Sequence, residues 1–401
     1  MSSRAAATSP GADRVRPQEC VDVAEAGRAW PVIFGPFDRH NLGDLLFAHL
    51  PPGFGSAWKE PVFAGLVAAD LRAYGGHRVR ALPDVLACNP DAPLLIEHAG
   101  GEILSCDRWV ARVTTLGSGQ ARQAIERFDR DVLARDAWLD TQPGFRFPAP
   151  YVVRRRDLPA GSRVTFRAVG GVGLSAMGAA HRQYVFDALS DADSITVRDS
   201  VTLGTIAAQG IPVSLEADPV ARISELLGSR IGRRTLVVGQ EYLALQIGAE
   251  FGDDASIAAL AEQVGAVARR HGLSVVLFRA GAAPWHDDID VLRRFAALLD
   301  RRRVSVFEGL DIWDICALIA AARVVLASSL HVRIVAESFG RPAVSLLGDE
   351  RIATGQAEKV SAYVSTWYSR APNLTGIAEV GPSLEAVLSR GLPRTREDSC
   401  G

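Results

Sequence analysis

The stretch that decides the fold is RVVLASSLHVRIVAESFGRPAVSLL, residues 323–347. Two apolar runs, VVLA and AVSLL, are separated by an amphipathic segment that a G-R-P turn ends. This pattern predicts a strand, a short helix and a second strand of a parallel sheet. The serine pair between the first strand and the helix, Ser328 and Ser329, stands where N-cap residues belong.

His331 stands in the first turn of this predicted helix. Backbone N–H groups at the start of a helix are unpaired and bind anions, so Ser328, Ser329 and Leu330 predict an anion site. A histidine beside that site can deliver a proton to the bound anion. A structural histidine at a strand-to-helix corner fits the same pattern equally well.

Strand, polar loop and helix alternate along most of the chain, which predicts an α/β protein with parallel sheets. An interruption by glycine and arginine between Ile223 and Arg233 predicts a boundary between two α/β domains that face each other across a cleft. Individual predictions include a helix over Phe63–Tyr74 and a strand over Thr235–Gly239. The predicted segments are a disordered N-terminus (1–28), an N-terminal domain (29–228), a C-terminal domain (229–392) and a flexible tail (393–401).

Composition excludes several classes of protein. Hydrophobic content of 48% and charged content of 22% are typical of a globular chain. A net charge of −2 gives no general attraction to nucleic acid or to an anionic membrane. The five cysteines are scattered without metal-binding spacing, so we expect no metal site and a cytoplasmic location. The sequence indicates neither a signal peptide nor a transmembrane segment. A basic cluster at 154–156 leaves peripheral membrane contact open.

Two loops after predicted strands carry candidate ligand-binding residues. In the first loop, Gly43 lets the backbone approach a ligand, and Asn41 and Asp44 supply hydrogen-bonding groups. Plain helix capping is the more common meaning of that pattern. The glycine pair Gly100 and Gly101 can admit a phosphate or a sugar, although it matches neither common nucleotide-binding pattern.

Two basic residues also stand out. Arg198 follows a predicted strand, where its planar guanidinium suits a bidentate grip on carboxylate or phosphate, or a structural ion pair with Asp199. Lys359 is one of only two lysines in a chain whose basic residues are otherwise arginines. A lysine retained in such a chain indicates a need for its compact charge.

Taken in order, these segments resemble the polysaccharide pyruvyl transferase family from Val32 to Ala362. Members share an N-x-G-D loop, a glycine pair, a V-R-D element, a G-I followed by a D-P, and an S-R-L-H signature before a helix and a later lysine. The matching segments here are 41–44, 100–101, 197–200, 210–211 with 218–219, and 328–331 with Lys359.

The resemblance implies two Rossmann-like domains of the glycosyltransferase-B type, with the acceptor on the N-terminal side and the donor on the C-terminal side. It implies phosphoenolpyruvate as donor and co-substrate, a saccharide or lipid-linked saccharide of a cell-wall glycan or exopolysaccharide as acceptor, and no metal or redox cofactor. The product is a pyruvate ketal that bridges two sugar hydroxyls. The implied roles are general acid (His331), base (Asp44), donor binding (Arg198, Ser328, Ser329, Leu330, Arg333, Lys359) and acceptor binding (Asn41, Gly43, Gly100, Gly101).

One position departs from the family pattern. Ser329 stands where the signature has an arginine that is expected to bind the donor. Arg333, one helical turn further on, is a candidate to restore that charge. The alternative is that Arg333 forms an ion pair with Glu337, another turn away.

Two other functions remain open at this stage. One is a glycosyltransferase of the same architecture that uses a nucleotide sugar, for which Trp313 and Glu308 are candidates to bind the base and the ribose. The other is a non-catalytic glycan-binding protein, which the loss of the signature arginine favours. Binding of phosphoenolpyruvate would distinguish a pyruvyl transferase from both of these alternatives.

Overall fold

The computed structural model describes residues 29–53, 61–88, 90–234, 240–348, 358–368 and 373–390. The described residues form two α/β domains, each built on its own sheet. The strands of the first sheet lie between residues 30 and 215, and those of the second between 242 and 375. The segments predicted as disordered or flexible, 1–28 and 393–401, and the strand predicted at 235–239 lie outside the described residues.

The first sheet contains β1 (Trp30–Phe34), β2 (Val62–Gly65), β3 (Ala69–Asp70), β4 (Arg78–Ala81), β5 (Leu94–His98), β6 (Arg163–Val169), β7 (Ser194–Val197) and β8 (Ser214–Leu215). Their order in the sheet is β3-β4-β2-β1-β5-β6-β7-β8. All neighbours pair in parallel except β3 and β4. The helices of this domain are α1 (Leu42–Phe47), α2 (Leu82–Cys88), α3 (Arg108–Thr114), α4 (Ser118–Phe128), α5 (Val132–Asp140), α6 (Ala179–Ser190) and α7 (Ser200–Ala207).

The prediction of a helix over Phe63–Tyr74 is wrong. That segment contains β2, β3 and a 3₁₀ turn at Arg72–Tyr74. Residues of β2 pair with both β1 and β4, so the segment completes the interior of the sheet. Pairing within the sheet therefore outweighs the helical spacing of its apolar residues.

The second sheet contains β9 (Tyr242–Gln246), β10 (Ser274–Phe278), β11 (Val304–Phe307), β12 (Val324–Ala327), β13 (Ala343–Leu346) and β14 (Leu374–Thr375). Their order is β11-β10-β9-β12-β13-β14, and all neighbours are parallel. The helices of this part are α8 (Ile223–Gly232), α9 (Asp254–His271), α10 (Ile289–Ala297), α11 (Ile312–Ala321), α12 (Leu330–Ser338), α13 (Lys359–Trp367) and α14 (Val380–Arg390). Within the described ranges, no helix is long and apolar enough to cross a bilayer.

The strand, helix and strand predicted over residues 323–347 are confirmed as β12, α12 and β13. β12 and β13 pair in parallel, with Val325 opposite Ala343. The segment between Ile223 and Arg233, predicted as a break between the domains, contains α8. It is thus a helical connection between the two sheets.

One hydrophobic core is shared by both domains. α1 of the first domain packs against α11 and α12 of the second. Leu45 and Phe47 of α1 are buried in the same cluster as Ile315, Leu318 and Val335. A large apolar interface of this kind restricts movement of one domain relative to the other. The two domains therefore face each other as predicted, and they are joined along part of the interface.

The loop after β1 meets the loop after β10 across the same interface. The N–H of Leu42 donates to the carbonyl of Ala280 over 2.7 Å, and the N–H groups of Ala282 and Ala283 donate to the carbonyl of His40. His40 also contacts the carbonyl of Leu310 through Nε2 at 2.7 Å. Carboxyl ends of parallel strands are where such folds bind ligands. The two sheets therefore present these ends to one another.

A buried histidine in the first sheet is held in its neutral form. His98 Nδ1 donates to the carbonyl of Thr165 over 3.1 Å, and Nε2 accepts from the N–H of Val153 over 2.9 Å. Its ring stacks on Phe166 at a centroid distance of 4.0 Å. Burial lowers the pKa of His98 to about 3, against a small opposing effect of the bond to Thr165.

This pKa predicts sensitivity to acid. Below the ordinary histidine pKa of about 6.5, the unfolded chain binds a proton that folded His98 excludes, so stability falls between about pH 6.5 and 3. We expect His98 to lower the free energy of unfolding by about 2 kcal/mol between pH 7 and pH 5. Urea denaturation at both pH values, compared between wild type and His98→Gln, measures this contribution. An unchanged pH dependence in the variant would contradict it.

Candidate active site

The imidazole of His331 lies where the two domains meet. His331 is the second residue of α12, and it is 8% exposed. Its Nε2 lies 3.3 Å from Asp218 Oδ2 and 3.4 Å from Arg198 Nη1. Protonated Nε2 can donate to Asp218, and neutral Nε2 can accept from Arg198. The site thus offers a partner to each protonation state, as a group that gives and takes a proton requires.

The other edge of the imidazole is covered by Gly43. A Cβ added to Gly43 would lie 1.9 Å from His331 Nδ1, so only glycine allows this approach. Phe47, one turn further along α1, packs its ring edge-on against His331 at 5.7 Å. Gly43, which was predicted to let a ligand approach the backbone, instead makes room for the imidazole of His331. Nδ1 thus faces α1, whereas Nε2 faces Asp218 and Arg198.

Arg198 follows β7 and is 2% exposed. Its Nη1 forms an ion pair with Asp218 over 3.1 Å, and its Nη2 with Glu102 over 3.2 Å. Asp218 is fully buried. Burial alone would raise the pKa of Asp218, but His331 and Arg198 outweigh it and hold that pKa below its ordinary value. The arginine, the aspartate and the histidine are thus a charged cluster within the domain interface.

The second domain fixes the backbone of Arg198. Trp367 Nε1, at the end of α13, donates to the carbonyl of Arg198 over 2.8 Å. Beside it, the N–H of Ser200 donates to Thr366 Oγ1 over 2.8 Å. A Cβ on Gly170 would lie 2.5 Å from Glu102 Oε2, so the glycine-rich loop after β6 closes over the cluster.

Asp44 approaches this cluster at Gly101. Its Oδ2 is 3.5 Å from Arg39 Nη2, and its Oδ1 accepts from the N–H of Gly101 over 3.3 Å. A Cβ on Gly101 would lie 3.5 Å from Arg198 Nη1 and 3.6 Å from Asp44 Oδ1. Asp44, Gly101, Arg198 and His331 are therefore neighbours, as the sequence groups them.

Arg39 and His286 extend the site. Arg39 Nη1 donates to Tyr151 Oη over 2.9 Å and to Thr114 Oγ1 over 3.1 Å. His286, in the loop after β10, donates from Nδ1 to the carbonyl of Pro284 over 3.1 Å, which leaves the lone pair on Nε2. Burial lowers the pKa of His286 to about 4, and the charges of Arg39 and Lys359 contribute to this shift. Asp44 acts on that pKa in the opposite direction.

Lys359 is the exposed first residue of α13. Its charge contributes, with that of Arg39, to the lowered pKa of His286. Arg198, Arg39 and Lys359 therefore bring three positive charges toward this region, from three separate segments of the chain.

The serine pair serves the local structure. Ser328 Oγ accepts from the N–H of Gly248 over 2.9 Å, and the N–H of Ser329 donates to Gln246 Oε1 over 2.9 Å. Among the described residues, the hydroxyl of Ser329 makes no capping bond to α12. Leu330 is buried as the first residue of α12. The N–H of Ser328 also has a partner, the carbonyl of Gln246 at 3.3 Å, so anion binding at the first turn of α12 stays a prediction.

Arg333 is fully buried and lies 2.8 Å from Glu337, the pairing that the sequence offered as its alternative. Its Nη1 also donates to Ser345 over 3.0 Å, and its guanidinium lies 5.7 Å from the ring centre of Tyr368. Burial raises the pKa of Glu337, against the charge of Arg333. A donor-binding role for Arg333 stays a prediction, and the structure does not place its guanidinium beside His331.

Two residues assigned to the acceptor shape the backbone. Asn41 caps α1, since its Oδ1 accepts from the N–H groups of Gly43 over 3.1 Å and Asp44 over 3.3 Å. Gly100 has a φ of +130°, and a Cβ there would lie 2.6 Å from Pro36 Cδ. Both residues therefore position Asp44 and Gly101, and direct contact with an acceptor stays a prediction.

Sequence reasoning left four members of the site unassigned: Asp218, Glu102, Arg39 and His286. Asp218 was part of the D-P element, and Glu102 directly follows the glycine pair. All four stand in loops that follow strands, the signal that singled out Arg198. Within the described ranges, no group of three or more metal-binding side chains is found.

The fold and this site define a class of protein: a two-domain α/β protein of the glycosyltransferase-B type, with a histidine, arginine and carboxylate cluster at the domain interface. The sequence matches the polysaccharide pyruvyl transferase family over residues 132–350, more than half of the chain. The protein therefore belongs to the polysaccharide pyruvyl transferase family. No protein with a curated description matches the sequence.

Solved structures with the same architecture are distant in sequence. The UDP-GlcNAc 2-epimerase of Methanocaldococcus jannaschii is 9% identical, with a TM-score of 0.51, over 92% of this chain and 95% of that one. A putative UDP-N-acetylglucosamine 2-epimerase from Listeria monocytogenes is 14% identical, with a TM-score of 0.48, over 90% and 87%. A second M. jannaschii structure, with UDP-GlcNAc and UDP, is 12% identical, with a TM-score of 0.40, over 58% and 64%. The first of these supports the fold alone.

Proposed function

We propose that this protein transfers the pyruvyl group of phosphoenolpyruvate to two hydroxyls of one saccharide, which yields a cyclic ketal and inorganic phosphate. The observation that carries the proposal is the position of His331 Nε2 between Asp218 and Arg198, at 3.3 and 3.4 Å. Membership of the family supplies the class of reaction.

The first chemical step needs an acid. His331 Nε2–H protonates the terminal carbon of the enol double bond, which leaves an oxocarbenium-like centre at the neighbouring carbon. Asp218, 3.3 Å from Nε2, stabilises the imidazolium before the transfer, and Arg198 can donate to the neutral ring after it. The pair thus supports both halves of the proton cycle.

The following steps exchange oxygen atoms at that carbon. One sugar hydroxyl attacks it and loses its proton, the bond to the phosphate oxygen breaks, and phosphate leaves. A second hydroxyl then attacks the same carbon and loses its proton, which closes the ketal. Asp44 and Arg198 both lie next to Gly101, so we assign Asp44 to the hydroxyl protons.

The donor carries a carboxylate and a phosphate, so its binding site needs positive charge. Because Ser329 replaces the signature arginine, other residues must supply that charge. Arg198 is shared between Asp218 and Glu102, whereas the ion pair of Arg39 with Asp44 is longer, at 3.5 Å. We assign the donor's negative charges to Arg198, Arg39, Lys359 and the first turn of α12.

The nucleotide-sugar alternative loses its candidate for base stacking. Trp313 is 2% exposed and lies between the guanidinium of Arg230, 3.8 Å from its ring centre, and the ring of His49 at 4.7 Å. Glu308 is ion-paired with Arg293 over 2.8 Å at the surface. Trp313 therefore presents no open face on which a nucleobase could stack.

Calorimetry with phosphoenolpyruvate and, separately, with UDP-GlcNAc tests the donor directly. We expect phosphoenolpyruvate to bind in the micromolar to millimolar range, and UDP-GlcNAc not to bind. Phosphate release from phosphoenolpyruvate in the presence of a panel of glycosides then tests the transfer. Absence of phosphoenolpyruvate binding at 5 mM ligand, or about tenfold tighter binding of UDP-GlcNAc, would contradict the proposal.

A further inference from the structure

Trp285 is a large apolar side chain left in solvent at the rim of the domain interface. It is 45% exposed, in the loop after β10. Its φ of +64° is a conformation that bulky residues rarely adopt and that costs of the order of 1–3 kcal/mol. A strained backbone that presents an indole to water indicates a function for that indole.

The surroundings of Trp285 hold it in place from both domains. Its ring packs edge-on against Trp109 of α3, at a centroid distance of 5.9 Å and an angle of 67°. Asp287 Oδ2 accepts from the N–H groups of Ala280 and Gly281 over 2.6 and 3.3 Å, which fixes the base of the loop. The N–H of His286 donates to Ala283 over 3.1 Å. The indole is thus a rigid, preformed surface.

The residue after Trp285 connects this surface to the active site. The ring of His286 packs against Gly281, where an added Cβ would lie 2.9 Å from its Cδ2. Gly281 forms a bridge with Asn41, the N-cap of the helix that carries Asp44. The charges of Arg39, Lys359 and Asp44 also act on the pKa of His286. Its Nδ1 is taken by Pro284, and Nε2 is left as an acceptor. A ligand that reaches from the proposed site to the rim therefore meets an acceptor nitrogen first and an aromatic face next.

We infer that Trp285 and His286 form a saccharide subsite, in which a pyranose ring of the acceptor packs its C–H face on the indole and one of its hydroxyls donates to His286 Nε2. The inference rests on the proposed function, because it places that reaction's acceptor. An indole suits this ligand because it combines a large apolar face with a polar edge, as a sugar does. A rigid aromatic also loses little conformational freedom when it binds.

Calorimetric titration with methyl glycosides of glucose, galactose, mannose and N-acetylmannosamine tests the subsite, with phosphoenolpyruvate absent and present. We expect Trp285→Ala to weaken binding of the best glycoside about tenfold and Trp285→Phe less than threefold. Trp285→Gly should weaken binding like Trp285→Ala while it relieves the backbone strain at φ +64°. The control is Phe147→Ala, which removes an aromatic residue of similar exposure, 48%, that packs on Tyr184.

The KM values separate binding from a purely structural role. A subsite raises the KM for the glycoside and leaves the KM for phosphoenolpyruvate unchanged, whereas a clasp between domains would change both. Equal glycoside affinity in wild type and Trp285→Ala, or no binding of any glycoside by wild type, would overturn the inference. Glycoside binding that depends on Trp285 without phosphate release would sustain the subsite and contradict the pyruvyl transfer.

Discussion

Replacement of His331 by alanine is expected to lower kcat for phosphate release from phosphoenolpyruvate by about 10³-fold, the usual contribution of a positioned general acid. The geometry explains the size of the effect, since Nε2 is held between Asp218 and Arg198 with its other edge against Gly43. Initial rates measured under saturating phosphoenolpyruvate report this loss without any change in donor affinity.

Replacement of a surface histidine, His271, is the control for the loss of an imidazole outside the active site. His271 is paired with Glu385 at the surface, and His271→Ala should retain activity within about twofold. Gly43→Ala provides an independent test, because its Cβ would overlap the imidazole and displace His331 without removing it. Gly119→Ala, where no atom lies within 4 Å of the new Cβ, should leave activity intact. More than a tenth of wild-type activity in His331→Ala would exclude its role as the acid.

Replacement of Arg198 by alanine is expected to abolish donor binding and to destabilise the fold by about 3–5 kcal/mol. The change leaves Asp218, which is fully buried, and Glu102 without their guanidinium. We therefore expect the pKa of Asp218 to rise toward its ordinary value or above it. Urea denaturation measures the loss of stability, and calorimetry with phosphoenolpyruvate measures the loss of binding.

Two further variants test whether the loss of stability comes from the buried carboxylate that Arg198→Ala leaves unpaired. Arg198→Ala combined with Asp218→Asn removes the unpaired carboxylate, so it should recover part of the lost stability and none of the activity. Arg234→Ala removes a half-exposed surface arginine that pairs with Asp311 and Asp314, and it should cost less than about 1 kcal/mol. Equal destabilisation by Arg198→Ala and Arg234→Ala would mean that burial of the Arg198 cluster contributes nothing.

The fold was predictable where its determinants are local. Residues 323–347 carry the apolar runs, the turn and the helical spacing of one β–α–β unit within 25 residues, and all three elements are confirmed. The prediction of a helix at Phe63–Tyr74 was wrong because the structure of this segment depends on the strands on both sides of it in the sheet. Periodicity within one segment cannot report such neighbours.

The candidate site was predictable only as far as strand ends and family motifs reach. Arg198, Asp44 and His331 each stand beside such a strand end, and the structure brings them together. The ion pairs of Arg198 with Asp218 and Glu102 are visible only in three dimensions, because an ion pair between distant segments leaves no periodic pattern. The pairing of Arg333 with Glu337, by contrast, lies within one helix and was among the alternatives.

The core that α1 shares with α11 and α12 determines how substrates can enter. Separation of the two domains as rigid bodies would expose Leu45, Phe47 and the residues packed on them, so a wide hinge opening is costly. Arg198 and His331, 133 positions apart in the chain, are therefore brought together when the protein folds and not when a ligand arrives. Folding therefore aligns the acid with its partners before catalysis begins, so substrate binding does not have to supply that entropic cost. Substrates enter and products leave through movement of the loops at the rim of the interface.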